Sequence, residues 1–346
     1  MKQREIFPSL LRGGKSLRRR EFIALLGGAT VAWPLAARAQ RSGGVRQIGV
    51  LMTYPETSQD AQGLATAFRG ALSNLGWTEG QNIHLEFRWT GPDADRMRQG
   101  AQELIALQPD LIISGGSPTT ALLLQQTHTI PIVFVNIVDP VGQGFVADLS
   151  RPGGNATGLV NLESSMAGKW IDLLREVAPN LARVVVPFQP ATAPYADFYL
   201  KYFKSSAQSL GVEIIAQPIA DMAALAAVAG TQAREPNAGF ALMPSAFMSG
   251  YAVEIAAVMA RYRLPAIYTT RSFAEAGGLI AYGNDVTENY RQAATFVDKI
   301  LKGAKASELP VQFPTKFELF VNKKTAKALG LSVPLTIQAA ADEVIE

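Results

Sequence analysis

Reactive side chains are scarce in this chain, because histidine occurs twice, as His84 and His128, and cysteine not at all. A nucleophile activated by imidazole would need one of the two at a cleft. His84 falls in a segment that reads as an edge strand. His128 falls between a helix end and a strand, away from the edge where ligands bind, so neither suits a nucleophile's base. No HExxH or cysteine cluster offers metal-ligand spacing, and Gly142-Gln143-Gly144 lacks the strand-to-helix context of a dinucleotide fingerprint. No cofactor and no metal are therefore expected. What remains is recognition by hydroxyl, amide and carboxylate groups, and these gather after two apolar runs: Ser117, Thr119 and Thr120 after the first, Asn136 and Asp139 after the second.

The stretch Pro109 to Leu159 has to position them. Leu111 to Ile113 is apolar without alternation, as in a strand covered on both faces, and ends in Gly115-Gly116. A helix is expected from Ser117 as N-cap, with Pro118 at the first helical position, to about Thr127. Pro131 then reopens the chain into a second buried strand, Ile132 to Ile137. Strand, crossover helix, strand implies a parallel, doubly covered sheet, whose carboxyl edge is where open α/β folds bind small ligands. The helix start at Ser117 favours an anionic group there. The same Ser-Pro-Thr-Thr pattern also serves simply as a helix cap.

Ahead of this stretch, Arg18-Arg19-Arg20-Glu21-Phe22-Ile23 opens a twin-arginine pattern. An apolar but Gly-containing segment to Leu35 and Ala37-Arg38-Ala39 follow, the layout of an export signal cleaved after Ala39. A membrane anchor would need about 20 apolar residues, and Pro34 interrupts a run already shorter than that. The signal holds eight Lys or Arg against two Asp or Glu, so removing it takes the net charge from +3 to −3. The basic character thus belongs largely to the signal, and the mature chain has no net electrostatic case for nucleic acid. Without cysteine, neither a lipid-modified thiol nor a disulfide is available.

About 300 residues remain, enough for two lobes. Val45 to Met52 reads as a strand, Gln59 to Leu75 as a helix closed by Gly76, and Ile83 to Trp89 as a strand nearer the sheet edge. Asp93 or Asp95 caps a helix ending near Leu107, and Ala156 to Val160 is an exit strand after the Gly153-Gly154-Asn155 turn. A second unit repeats the grammar. Helices are expected at 166–177, 195–210, 221–234 and 250–262, and strands at 182–188, 212–216, 238–243 and 265–268. A helix over about 290–302 and a strand over 316–321 bring the chain back across both lobes. Crossings near Val160, Asp285 and Pro314 would make a hinge.

TIPIVFVNIVDPVGQGFVADLSRPGGNATGL, with GWTEGQNI before it and ILKGAKASELPVQ and PTKFEL after it, closely resembles the substrate-binding proteins of ABC transporters. The likeness covers essentially the whole mature chain and is to the subfamily whose better-known members bind tryptophan or tyrosine. It implies a type I periplasmic-binding-protein fold, α/β and two-lobed, each lobe a parallel sheet flanked by helices with the ligand cleft between them. Lobe I would comprise residues 40–160 and 286–311, and lobe II residues 161–285 and 312–346. It also implies a periplasmic monomer that hands a small solute to permease subunits in the inner membrane. Carried over position by position, the ligand would meet Tyr54, Glu56, Ser117, Thr119, Asn136 and Asp139 in lobe I. In lobe II it would meet Gln189, Thr192, Tyr195, Ser245, Phe247 and Arg271, with Asn284 and Asp285 at a crossing. Where the aromatic-amino-acid binders carry an acidic cluster, this chain has Thr269-Thr270-Arg271-Ser272. An arginine there favours a carboxylate through bidentate pairing.

Duller roles stand beside these. Asp139-Pro140 also suits a turn, Tyr54 and Phe247 also suit packing, and Arg271 also suits an ion pair with Glu275 four residues on. The reading is a solute receptor for a small carboxylate or amino-acid-like ligand, with a secreted α/β enzyme as the alternative.

Overall fold

A computed structural model of the chain describes residues 44–161 and 166–346. The export signal and cleavage position expected before Gln40 lie outside them. Among the described residues, the strands form two sheets. The first holds β1 (Arg46–Met52), β2 (Ile83–Trp89), β3 (Leu111–Gly115), β4 (Ile132–Ile137) and β5 (Ala156–Val160), in the order β2-β1-β3-β4-β5 and parallel throughout. β3 is buried along its whole length, as its unbroken apolar run requires, and β2 lies at the edge. Helices α1 (Gln59–Asn74), α2 (Ala94–Ala106) and α3 (Ser117–Gln126) connect these strands. Gly158, at φ 148°, lets β5 approach β4 so closely that an added Cβ would sit 2.0 Å from the Phe134 carbonyl oxygen.

The second sheet is built from β6 (Arg183–Phe188), β7 (Glu213–Pro218), β8 (Ala238–Ala241), β9 (Ala266–Tyr268), β10 (Ile280–Asn284), β11 (Phe317–Asn322) and β12 (Glu343–Ile345). Its order is β12-β11-β10-β9-β8-β6-β7, parallel apart from the antiparallel pair β10–β11. Helices α4 (Met166–Val177), α5 (Ala196–Leu210), α6 (Met222–Gln232), α7 (Ala246–Gly250), α8 (Ala252–Arg261) and α9 (Arg271–Glu275) belong to this run of the chain. Trp170 of α4 is buried, stacks on Tyr199 and donates from Nε1 to the Tyr282 carbonyl of β10, tying helix to sheet.

After β10 the chain returns to the first sheet as α10 (Val286–Leu301). Its apolar face, Tyr290, Ala293, Phe296 and Val297, is buried with Val50, Val133, Val135 and Leu159 in one core cluster. Side chains the size of Phe296 and Val297 each gain roughly 1.5–3 kcal/mol on burial. The segment beyond α10 stays on the first sheet, where Val160 N–H donates to the Gln312 carbonyl and Gln312 N–H to Gly158. The chain then enters β11, α11 (Lys323–Ala328), α12 (Leu335–Ala340) and β12.

Several boundaries differ from the sequence reading for local reasons. The cap of α3 is Gly116 at φ 143°, not Ser117, which is the first helical residue. α10 starts a turn earlier than expected because the Asp285 carboxylate caps it, accepting from Glu288 N–H. The helix expected from Gly250 is two pieces, broken at Tyr251 and begun by Ser245, whose hydroxyl caps Met248 N–H. The short elements after Asn322 were not anticipated.

Candidate ligand-binding site

The carboxyl ends of strands in both sheets line two adjoining cavities. The inner one, about 50 Å³, takes Thr53, Gly116, Ser117, Asn136 and Asn161 from the first sheet's loops and Thr192, Tyr195, Pro244 and Ser245 from the second's. The outer one, about 310 Å³, takes Gln59, Asp60 and Leu64 from α1 and Arg271, Glu275, Asn284, Asp285, Glu318 and Phe320 from the other side. Tyr54, Ser249, Thr269, Thr270 and Val286 line both. The larger volume is at the lower end of the range typical of small-molecule sites, about 300–1,000 Å³.

On the first-sheet side the polar groups hold one another. Ser114 Oγ lies 2.9 Å from Thr119 Oγ1 and 2.8 Å from Thr120 Oγ1, and both threonine hydroxyls also reach the Gly116 carbonyl at 2.9 Å. All three side chains are buried, so the turn into α3 is fixed from beneath. Gln143, from the DPVGQG loop, donates its amide to Ser117 Oγ at 3.1 Å and to the Val138 carbonyl. Ser117 accepts there, which leaves its own proton to offer to a bound molecule. Asn136 sits at φ 61° where the β4–β5 register shifts, and its Oδ1 accepts from Asn289 Nδ2 at 2.8 Å. A left-handed residue at a bulge re-aims a side chain, here into the inner cavity.

The second-sheet side is different. Tyr195 OH donates to the Pro244 carbonyl at 2.7 Å, and Thr192 Oγ1 lies 3.1 Å from Gln189 Oε1. Arg271 pairs with Glu275 and Glu343, each at 2.7 Å, and its guanidinium lies over the Phe320 ring. Those carboxylates hold its pKa above the usual value, with the Glu275 hydrogen bond the largest cause. Lys316 bridges Asp285 at 3.2 Å and Glu318 at 2.7 Å. Asn284 is 5 % exposed, yet its Nδ2 has no hydrogen-bond partner among the described residues.

Tyr54 stands between the cavities. Burial, then the charge of Asp60, push its pKa up to about 12, against a hydrogen bond offered by Ser249. A side chain at Gly250 would come within 3.1 Å of Pro92, so the first-sheet and second-sheet loops approach closely here as well.

Of the residues expected at the ligand, Tyr54, Ser117, Asn136, Thr192, Tyr195 and Ser245 line the inner cavity, and Tyr54, Arg271, Asn284 and Asp285 the outer. The remaining five line neither. Thr119 lies beneath the α3 turn, and Glu56 is exposed, its carbonyl accepting from Gln62. Asp139, at φ 44°, closes a turn by accepting from Gly142 N–H. Gln189 donates to the Ala220 carbonyl, and Phe247 is buried against Tyr251. Sequence reasoning missed Asp60, Asn161, Ser249, Glu275 and Glu318 as cavity residues. Asn161 was within reach of a position argument, since it directly follows the exit strand. Ser249 was not, because the helix containing it was read as beginning one residue later.

Comparison with known proteins agrees with this architecture. The family model described as "ABC transporter substrate binding protein" matches residues 48–345. A tyrosine-binding protein of Clostridioides difficile is 21% identical over 295 residues, covering 85% of this chain and 82% of its own. Among solved structures, an ABC domain from Streptococcus pneumonia in complex with L-Trp superposes with TM-score 0.80 at 21% identity, covering 87% of this chain and 100% of its own. A conserved domain protein from Vibrio cholerae also gives 0.80, at 24% identity over 87% of this chain and 99% of its own. A solute-binding protein from Agrobacterium vitis with bound allitol gives 0.57 at 16% identity, over 84% and 99% of the two chains. These likenesses establish the two-sheet type I fold of solute-binding proteins, and the relatives are ligand-binding transport receptors rather than enzymes. With the family model matching nearly all the described residues, the chain belongs to the ABC transporter substrate-binding proteins.

Proposed function

We propose that the protein is the periplasmic receptor of an ABC importer, taking a small carboxylate or amino-acid-like solute between its two lobes and delivering it to permease subunits. The observation that carries this is the convergence of strand ends from both sheets on one pair of adjoining cavities. Residues 40–160 with 286–311 form one lobe in this reading, and 161–285 with 312–346 the other. The ligand's carboxylate meets the Ser117 hydroxyl and the N-terminal N–H groups of α3, where the helix dipole favours negative charge. Tyr54, Asn136, Thr192, Tyr195 and Ser245 complete that wall. The relatives' names, tyrosine-binding and in complex with L-Trp, support an amino-acid-like ligand.

Family members are typically extracytoplasmic, and among the described residues no helix is long and apolar enough to cross a membrane. Export through the twin-arginine sequence, cleavage after Ala39 and action as a monomer complete the reading. Mass spectrometry of small molecules released from the purified protein tests the ligand class. A co-purified carboxylate or amino acid that raises the melting temperature without being consumed is the expected result. Turnover of the added molecule would overturn the receptor reading in favour of an enzyme. A ligand at 100 times its dissociation constant adds about 2.7 kcal/mol of stability.

A further inference from the structure

The outer cavity carries features that a lone α-amino acid at Ser117 leaves unused. Asn284, at the end of β10, is buried to 5 % exposure with its Nδ2 unpaired, and it lines this cavity and not the inner one. A buried amide donor is normally paired, so this one calls for an acceptor oxygen from a bound molecule. Around it stand the carboxylates of Asp60, Glu275, Asp285 and Glu318. The cations in reach are already shared: Arg271 serves Glu275 and Glu343, and Lys316 serves Asp285 and Glu318. Asp60 has no ion-pair partner among the described residues. Negative charge is in excess here, and an ammonium group offsets it.

The two cavities therefore prefer opposite ends of a ligand: an anion against α3 within, a cation among the carboxylates without. Tyr54, Ser249, Thr269, Thr270 and Val286 line both. Resting on the receptor reading, we propose that the solute is a zwitterion with well-separated ends and an acceptor oxygen beside its ammonium group, the chemistry of a short peptide. Its ammonium meets the outer carboxylates, its first peptide carbonyl accepts from Asn284 Nδ2, and its terminal carboxylate reaches Ser117. In an α-amino acid both charges sit on one carbon, and such a ligand satisfies one compartment at a time.

Calorimetry on the purified protein with matched probes tests this. Alanyl-alanine and phenylalanyl-alanine have both ends and the carbonyl. N-acetylalanine lacks the ammonium, alaninamide lacks the carboxylate, and alanine and phenylalanine lack the separation. At least one dipeptide is expected to bind tenfold or more tightly than every truncated probe, and Asn284→Leu to remove that advantage at an unchanged melting temperature. Should the leucine variant not fold, Asn284→Asp, which keeps the shape but presents an acceptor, is expected to do the same. Equal or tighter binding of alanine, phenylalanine or N-acetylalanine overturns the proposal, as does an undiminished dipeptide preference in both variants, which would mean that water alone meets the amide. Failure of both dipeptides to bind also overturns it. A single amino acid co-purifying with the protein would end this proposal while leaving the receptor reading in place, whereas a sugar would end both this proposal and the ligand class of that reading.

Discussion

The two sheet edges that face the cavities solve the same problem in opposite ways. At the first, the polar side chains are held by neighbours: Ser114 by Thr119 and Thr120, Ser117 by Gln143, and Asn136 by Asn289 of α10. At the second, Arg271 and Lys316 reach the carboxylates from exposed positions and offset their charge only in part, and the buried Asn284 amide has no partner among the described residues. A satisfied network is rigid before the ligand arrives, whereas an open donor and solvent-facing ion pairs are completed or rearranged by binding. One edge is thus a template, and the other adapts.

The sharpest way to break that comparison is a pair of polar-to-apolar changes. Thr120→Val keeps the shape but removes a fully buried hydroxyl bonded to Ser114 and Gly116, and should lower unfolding free energy by about 1–2 kcal/mol in urea titration. Asn284→Leu removes a donor with no partner and should leave stability within about 1 kcal/mol of the parent. If Asn284→Leu proves the more destabilising of the two, the second edge is structural and the contrast fails.

A smaller effect is expected at the boundary between them. The Tyr54 hydroxyl is neutral in the folded protein up to about 12, above the ordinary value of 10.0. A group whose folded pKa is raised contributes stability fully below its unfolded pKa and loses it as pH climbs towards the folded value. The Tyr54 contribution should therefore persist through neutral pH and fade between about pH 10 and 12. Tyr54→Phe, losing the contact with Ser249, should cost about 0.5–1.5 kcal/mol at pH 8 and show less of that alkaline decline in thermal melts. An unaltered alkaline limb in the variant would assign the decline to the other buried tyrosines, Tyr195, Tyr268 and Tyr290, whose pKa values burial also raises.

Smallest of all should be Arg271→Ala. Its side chain is 54% exposed, as are its partners in comparable measure, at 53% and 41%. Solvent screening limits such pairs to about 0–1 kcal/mol, and the difference should vanish at high salt. A loss that survives in 1 M salt would mean that the guanidinium matters through its packing on Phe320 instead.

Much of the first edge was legible in the sequence, and the reason is local. An unbroken apolar run, two glycines and a proline specify β3 and its turn into α3 within ten residues, and β5 matched its reading at both ends. The second edge is assembled from distant pieces. The sequence offers Arg271 both a ligand carboxylate and Glu275, but not its second partner Glu343, which lies far along the chain in β12, a three-residue strand too short to carry a periodic signal. Asp285 was read as a ligand group, although as the residue before α10 it also spends its carboxylate on a cap and on Lys316. Asn284, expected at the ligand, lines the outer cavity, but that its amide has no partner among the described residues is a property of the folded neighbourhood and leaves no mark in the sequence.

The return of the chain to the first sheet as α10 also sets an order of manufacture. Val50, Val133 and Val135 are finished early in synthesis, but the helix that covers them, with Tyr290 and Phe296, is made only after everything from α4 to β10 has been added. Until then that face of the first sheet is covered only in part, by Leu64, Phe68 and Leu72 of α1, and the open part invites non-native association. A nascent or truncated chain ending before Val286 would therefore carry an unfinished core in its oldest part. Completion of that core is thus a signal, available only late in synthesis, that everything from α4 to β10 has been made.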